Sequence, residues 1–239
     1  STPCESSAAS DVYKRQSLGN LNRAQIFNFS KEKIMILIGR NVSPFVRRVA
    51  ALMRLLEIDF EQRFLATADS IDDIAKFNPL GRVPSLVLDD DEILIDSSAI
   101  IDYLLETKDQ DGKFLSKTGS ARRLVLRSVA IAHGVMEKGV ASSYEKTRRS
   151  PEKVSEEWLS YLQRQIIWGL EELERKAEQS NEWLHGDTLT LADITTICAF
   201  DYINIRHKGL FDPNIFPALK GISDRGNELF AFSDTKPSP

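Results

Sequence analysis

Four short clusters in this chain combine residue types and spacing that could do chemistry. The first is Ser43-Pro44-Phe45-Val46, which follows an apolar run closed by Gly39. Ser43 suits an N-cap and Pro44 the first helical position, so the group starts a helix with no further role required. A helix start also offers unpaired N–H groups and a partial positive charge. With the Ser43 hydroxyl donating beside them, an anion such as a thiolate would be stabilised there. The second cluster is Asn78-Pro79-Leu80-Gly81-Arg82-Val83-Pro84. It reads as a loop, but Pro84 stands at a strand start, where its missing N–H matters least. A cis Val83–Pro84 bond there would leave the backbone N–H and C=O of Val83 open to an extended peptide.

The third cluster is Asp96-Ser97-Ser98, a helix cap. Read as a site, the Ser97 hydroxyl and the helix-start N–H groups make a carboxylate receptor, and the Asp96 carboxylate could hold an ammonium group. A zwitterionic amino-acid head suits both halves. The fourth, Thr190-Leu191-Ala192-Asp193, is a capping box with Asp in place of Glu, and the structural reading of it suffices.

The elements that must position these clusters follow from periodicity. Residues 34–38 are a continuous apolar run, as in a strand buried on both faces. Val46, Val49, Ala50 and Met53 form the helical stripe of the segment that Pro44 opens. A strand over 59–65 and a short helix over 71–77 follow, the latter ending before Asn78-Pro79. Strands over 84–88 and 92–95 flank Asp89-Asp90-Asp91 as a hairpin, and a helix with Ile100, Ile101, Leu104 and Leu105 on one face comes next. This βαβαββα order implies a mixed sheet with one βαβ crossover and one antiparallel hairpin. Beyond a polar linker, 108–119, strand signals vanish. Helices are expected near 120–146, 152–179, 190–207 and 215–230. The expectation is an α/β domain over 34–107 and an all-α domain over 120–239. Residues 1–33, rich in Ser and Asn without apolar period, read as a disordered leader or a spurious extension.

Composition sets the outer limits. The 239 residues are 42% hydrophobic and 28% charged, with 31 basic and 35 acidic side chains and a formal charge of −4. That balance argues against broad binding to nucleic acid. Two cysteines, Cys4 and Cys198, with no C-x-x-C, exclude a structural zinc site and suit a reducing cytoplasm. No apolar stretch approaches the roughly 20 residues of a membrane helix.

Taken in order, a Ser-Pro at helix one, a Val-Pro before the hairpin, an Asp-Ser at helix three and a late T-x-A-D box resemble a glutathione transferase. The segments Ser43-Pro44-Phe45-Val46-Arg47, Asn78 to Pro84 and Asp96-Ser97 are most similar to bacterial members of the serine-type branch. The resemblance implies a thioredoxin-like domain joined to a helical-bundle domain, a cytoplasmic homodimer, and glutathione as co-substrate without a metal. It implies that Ser43 contacts the glutathione sulfur, that Val83 beside a cis Pro84 pairs with the cysteinyl unit, and that Asp96 and Ser97 hold the γ-glutamyl head. Arg82 would reach a glutathione carboxylate, and Phe45 would flank the tripeptide. Conjugation of the thiolate to a small hydrophobic electrophile, a detoxification reaction, is the activity implied. A glutathione-dependent peroxide or disulfide reductase and a non-catalytic binding module are the alternatives. His133 and Tyr144, on the first helix of the helical half, are candidates for the second-substrate pocket. Trp168 shares a stripe with Trp158 and Tyr161 that reads as packing or subunit contact.

Overall fold

The computed structural model of the protein describes residues 34–68 and 70–237, so the expectation for 1–33 lies outside the described residues. Its first half alternates strand and helix: β1 (Met35–Ile38), α1 (Pro44–Leu55), β2 (Phe60–Arg63), α2 (Ile71–Ala75), β3 (Ser85–Val87), β4 (Ile93–Ile95) and α3 (Ser97–Lys108). The second half is helical: α4 (Gly119–Thr147), α5 (Glu156–Glu178), α6 (Leu191–Arg206), α7 (Pro217–Glu228) and α8 (Phe230–Ser233), with 3-10 turns at Pro151–Lys153 and Pro213–Ile215. This is the expected thioredoxin-like arrangement followed by a helical one.

The four strands lie in the order β2-β1-β3-β4. β1 is parallel to β2 and antiparallel to β3, and β3 is antiparallel to β4. With a neighbour on each side, β1 has no need of a polar face, and Leu37 and Ile38 are fully buried. β2 lies at one edge, where half-buried Phe60 and Gln62 alternate with exposed Glu61 and Arg63. α1 is buried from Val46 to Met53, Arg47 and Arg48 included. It packs on α3 and also on α6, so one helix links the sheet to the helical half.

α6 is buried on nearly all sides, from Leu191 to Phe200 without a break, and packs against α1, α4 and α7. Its start is the expected capping box. Thr190 N donates to Asp193 Oδ2 at 2.8 Å, and the Thr190 side chain accepts from the helix in return. Asp193 also accepts from Leu184 N at 2.7 Å. These bonds oppose the burial that raises its pKa.

Several boundaries differ from expectation for local reasons. The strand expected over 59–65 is shorter at both ends, and the helix expected over 71–77 closes at Ala75, with Phe77 N and Asn78 N both turning back to Ile74 O. The helix expected over 152–179 begins at Glu156. Pro151 opens only a 3-10 turn, and Ser155 is the cap, its hydroxyl accepting from Trp158 N at 3.2 Å. The helix expected over 215–230 is two pieces, broken at Leu229, whose backbone is extended. α7 lacks a side-chain cap of its own. Buried Glu174 on α5 replaces it by accepting from Ala218 N and Leu219 N, both at 2.8 Å. Trp168 is 60% exposed, so it does not pack inside the chain. Trp158 and Tyr161 stack at 5.4 Å on the same open face.

Candidate active site

Strand register brings the first three clusters to one end of the sheet. Ile38, the last residue of β1, pairs with Ser85, the first of β3, and Ser85 pairs with Ile95, the last of β4. The segments that continue this row are Gly39 to Ser43, Val83-Pro84 and Asp96-Ser97. Arg63, the end of β2, stands beside Ile38 on the other side.

Gly39 makes the first turn, with φ +127°. A Cβ there would lie 2.6 Å from Val46 Cγ2 and 3.0 Å from Val83 Cβ, so the α1 start and the Val83 loop close directly over it. Gln62 Nε2 donates to Gly39 O at 2.9 Å and to Asn41 Oδ1 at 2.8 Å, fixing the loop that leads into α1. Ser43 caps that helix, its half-buried hydroxyl accepting from Val46 N at a long 3.5 Å, with Pro44 behind it. The Ser43 O–H has no acceptor among the described residues.

The 78–84 loop is clasped by Asn78, which is buried. Its Nδ2 donates to Arg82 O at 3.0 Å, and its Oδ1 accepts from Leu80 N at 2.9 Å. Gly81 supplies the positive φ of +60°. The Val83–Pro84 peptide is cis. Val83's backbone N–H and C=O have no hydrogen-bond partner among the described residues, and Arg82 is exposed.

At α3 the cap is Asp96 alone. Its φ is +69°, and Oδ1 accepts from Ser98 N at 2.8 Å. Ser97 is the first helical residue and is buried. Its Oγ accepts from Arg48 Nε at 3.1 Å and Nη2 at 2.7 Å, and Nη2 also reaches Ser98 Oγ at 3.0 Å. Burial lowers the Arg48 pKa to about 10, against the pull of nearby Asp96. Arg48 therefore stays charged at neutral pH.

α4 passes over the same end. His133 lies against Phe45, ring centroids 5.2 Å apart, with Glu137 Oε1 at 3.7 Å from its Nε2. Burial lowers the His133 pKa, and Arg48 and Arg82 act in the same direction. Tyr144 is exposed beside the loop after β2. Its OH is 3.3 Å from Thr67 Oγ1, and Arg148 lies over its ring at 4.1 Å. His133 thus adjoins the three clusters, while Tyr144 stands at the far rim. Cys198 is buried in α6 with its thiol pushed up to about 12, so it is not a nucleophile.

Two further residues stand out in the structure: Arg47, quoted from the sequence only as part of the Ser-Pro segment and without a role, and Arg48, which the sequence did not single out. Arg47 Nη1 pairs with Asp201 Oδ2 at 2.5 Å, and Nη2 donates to Asn227 Oδ1 at 2.8 Å. Nothing local marks these partners, which lie far along the chain.

A mixed four-stranded sheet with a cis-proline at the head of β3, a serine at the mouth of α1 and an all-helical second half define a thioredoxin-like domain with a helical partner domain. The chain belongs to the glutathione S-transferase superfamily. The family model for the N-terminal domain matches residues 37–112 and that for the C-terminal domain residues 156–225. The uncharacterized GST-like protein YibF of Escherichia coli strain K12 is 33% identical over 172 residues, 72% of this chain and 83% of its own. The maleylacetoacetate isomerase of Rhizobium meliloti strain 1021 is 31% identical over 67% of this chain and 74% of its own. Among solved structures, a glutathione S-transferase of Methylobacterium radiotolerans in complex with glutathione sulfonate matches with TM-score 0.80. It is 26% identical and covers 86% of this chain and 95% of its own. A glutathione S-transferase of Methylobacillus flagellatus with glutathione bound matches with TM-score 0.78, at 28% identity, over 85% and 100%.

Proposed function

We propose that this protein is a glutathione transferase that joins the glutathione thiolate to a small electrophile. The observation that carries the reading is the row Ile38–Ser85–Ile95, which sets a free hydroxyl, an open backbone segment and an acid–hydroxyl pair along one end of the sheet. In this reading the cysteinyl unit pairs with the N–H and C=O of Val83. The Asp96 oxygen not engaged by Ser98 takes the γ-glutamyl ammonium, and Ser97 takes its carboxylate. Exposed Arg82 reaches the glycyl carboxylate. The Ser43 O–H donates to the sulfur, and with the α1 start it favours the thiolate over the thiol. The thiol proton leaves to solvent. The sulfur lone pair then forms the S–C bond as the leaving group departs with its electrons. The electrophile lies between Phe45, His133 and Tyr144. Glutathione bound in the Methylobacillus flagellatus structure supports the choice of ligand.

A second reading has a specific observation behind it, the likeness to a maleylacetoacetate isomerase. Isomerising a conjugated double bond requires a transient single bond. A thiolate supplies one by adding and then leaving, so the same residues serve both reactions.

Calorimetric titration with glutathione, followed by assays with a halogenated nitroarene, maleylacetoacetate and an organic peroxide, separates the cases. Turnover of the nitroarene is the expected result. Turnover of maleylacetoacetate alone selects the isomerase, and peroxide turnover alone a reductase. Absence of glutathione binding overturns the reading.

A further inference from the structure

Arg47 and Arg48 are adjacent, and each is 1% exposed. Arg47 is neutralised by Asp201. Arg48 has no carboxylate within hydrogen-bonding reach among the described residues, and all its bonds go to the hydroxyls of Ser97 and Ser98. Asp96, the nearest acid on α3, has one oxygen engaged by Ser98 N. Asp96 and Glu137 act on Arg48 only through space, and a buried cation with no directly bonded counter-charge is costly, so part of its positive field remains behind the first turn of α3. The geometry also fixes proton direction. A serine hydroxyl has one proton and two lone pairs. Arg48 Nε and Nη2 occupy both lone pairs of Ser97, so the Ser97 proton is directed away from the guanidinium.

We propose that Arg48 is a positioning residue for an α-amino-acid carboxylate: it fills both lone pairs of the Ser97 hydroxyl and so leaves it only as a donor, holds the Ser98 hydroxyl beside it, and supplies charge that this carboxylate neutralises. The inference rests on the glutathione reading and names the part of the ligand that Arg48 selects. It acts through the two serines without touching the ligand. A lysine would keep the charge but lose the planar fork that fills both lone pairs at once.

The test is a cycle between ligand and protein. Glutathione and its analogue lacking the γ-glutamyl α-carboxylate (4-aminobutyryl-Cys-Gly) are titrated calorimetrically into the parent, Arg48→Met and Arg48→Lys. The parent is expected to prefer glutathione by tenfold or more, which corresponds to about 1.4 kcal/mol. Arg48→Met should lose roughly that factor for glutathione while binding the analogue as the parent does. Arg48→Lys should regain part of the preference, which a merely structural arginine would not show. The proposal is overturned if Arg48→Met keeps the parent's preference, if it loses both ligands equally, or if the parent shows no preference. If neither variant folds by far-ultraviolet circular dichroism, Arg48 is structural and the proposal also falls. A parent that binds neither ligand instead overturns the glutathione reading itself.

Discussion

Replacing Arg47 tests how firmly α1, and with it Ser43, is anchored to the helical half. Its guanidinium meets Asp201 at 2.5 Å and Asn227 at 2.8 Å while almost fully buried. Removing one partner of a buried pair costs about 3–5 kcal/mol, because the other charge is left unpaired. Here Asp201 is 14% exposed and keeps bonds from Ser223 Oγ at 2.5 Å and Asn227 Nδ2 at 3.0 Å. Arg47→Met should therefore fall at the low end, about 3 kcal/mol. For a chain of this size each kcal/mol moves Tm by roughly 2–4 °C, so a drop of about 6–12 °C is expected. Asp201→Leu should cost at least as much, since it strands the more buried partner. The double variant should recover much of the loss, because two apolar groups of similar volume replace both charges. Differential scanning calorimetry on all four proteins closes the cycle. Additive losses, or an Arg47→Met protein melting within about 2 °C of the parent, would refute the argument.

Ser43→Ala should leave glutathione affinity nearly intact and raise the bound thiol's pKa by about one to two units, the worth of one bond to a charged group. Ultraviolet titration of the thiolate reads this, and turnover at neutral pH should fall roughly tenfold and recover partly in alkaline buffer. Because the Ser43–Val46 cap bond is long, the same variant should melt close to the parent. Gly39→Ala places a Cβ against Val46 and Val83 at positive φ and should cost about 3 kcal/mol or more, measured by urea unfolding. Burial lowers the pKa of His133, His185 and His207 from 6.5. Each then binds its proton less readily folded than unfolded, so Tm should fall as pH drops through 6.5 and below. A Tm that rises over that interval would contradict the assignment.

The elements around the site were legible because their signals are local. An apolar run, a Ser-Pro start, two prolines around a glycine and an Asp-Ser start each declare a backbone shape within a few residues. Their convergence at one sheet end follows from strand order and register, which local pattern does not specify. Arg47 and Arg48 were opaque for a further reason. Two adjacent arginines on an amphipathic helix normally mark its solvent side, and their burial depends on Asp201 and Ser97, which only the fold brings near. The late start of α5 was missed because Pro151 competes with Ser155 as a start signal, and the side chain that bonds the backbone decides between them. His133 could be suspected from its helix, but its contact with Phe45 depends on how α4 crosses α1.

The row Ile38–Ser85–Ile95 also bears on how ligand and fold depend on each other. Its three segments are far apart in the chain and become neighbours only when β3 has paired on both sides. A ligand spanning them binds only the paired sheet, so by mass action its binding free energy adds to the stability of that pairing. Occupancy should accordingly slow amide hydrogen exchange in β3 more than in α5, which touches none of the three segments. If the ligand is glutathione, as proposed above, its depletion in a cell would withdraw that support, and protein abundance would follow the ligand's supply.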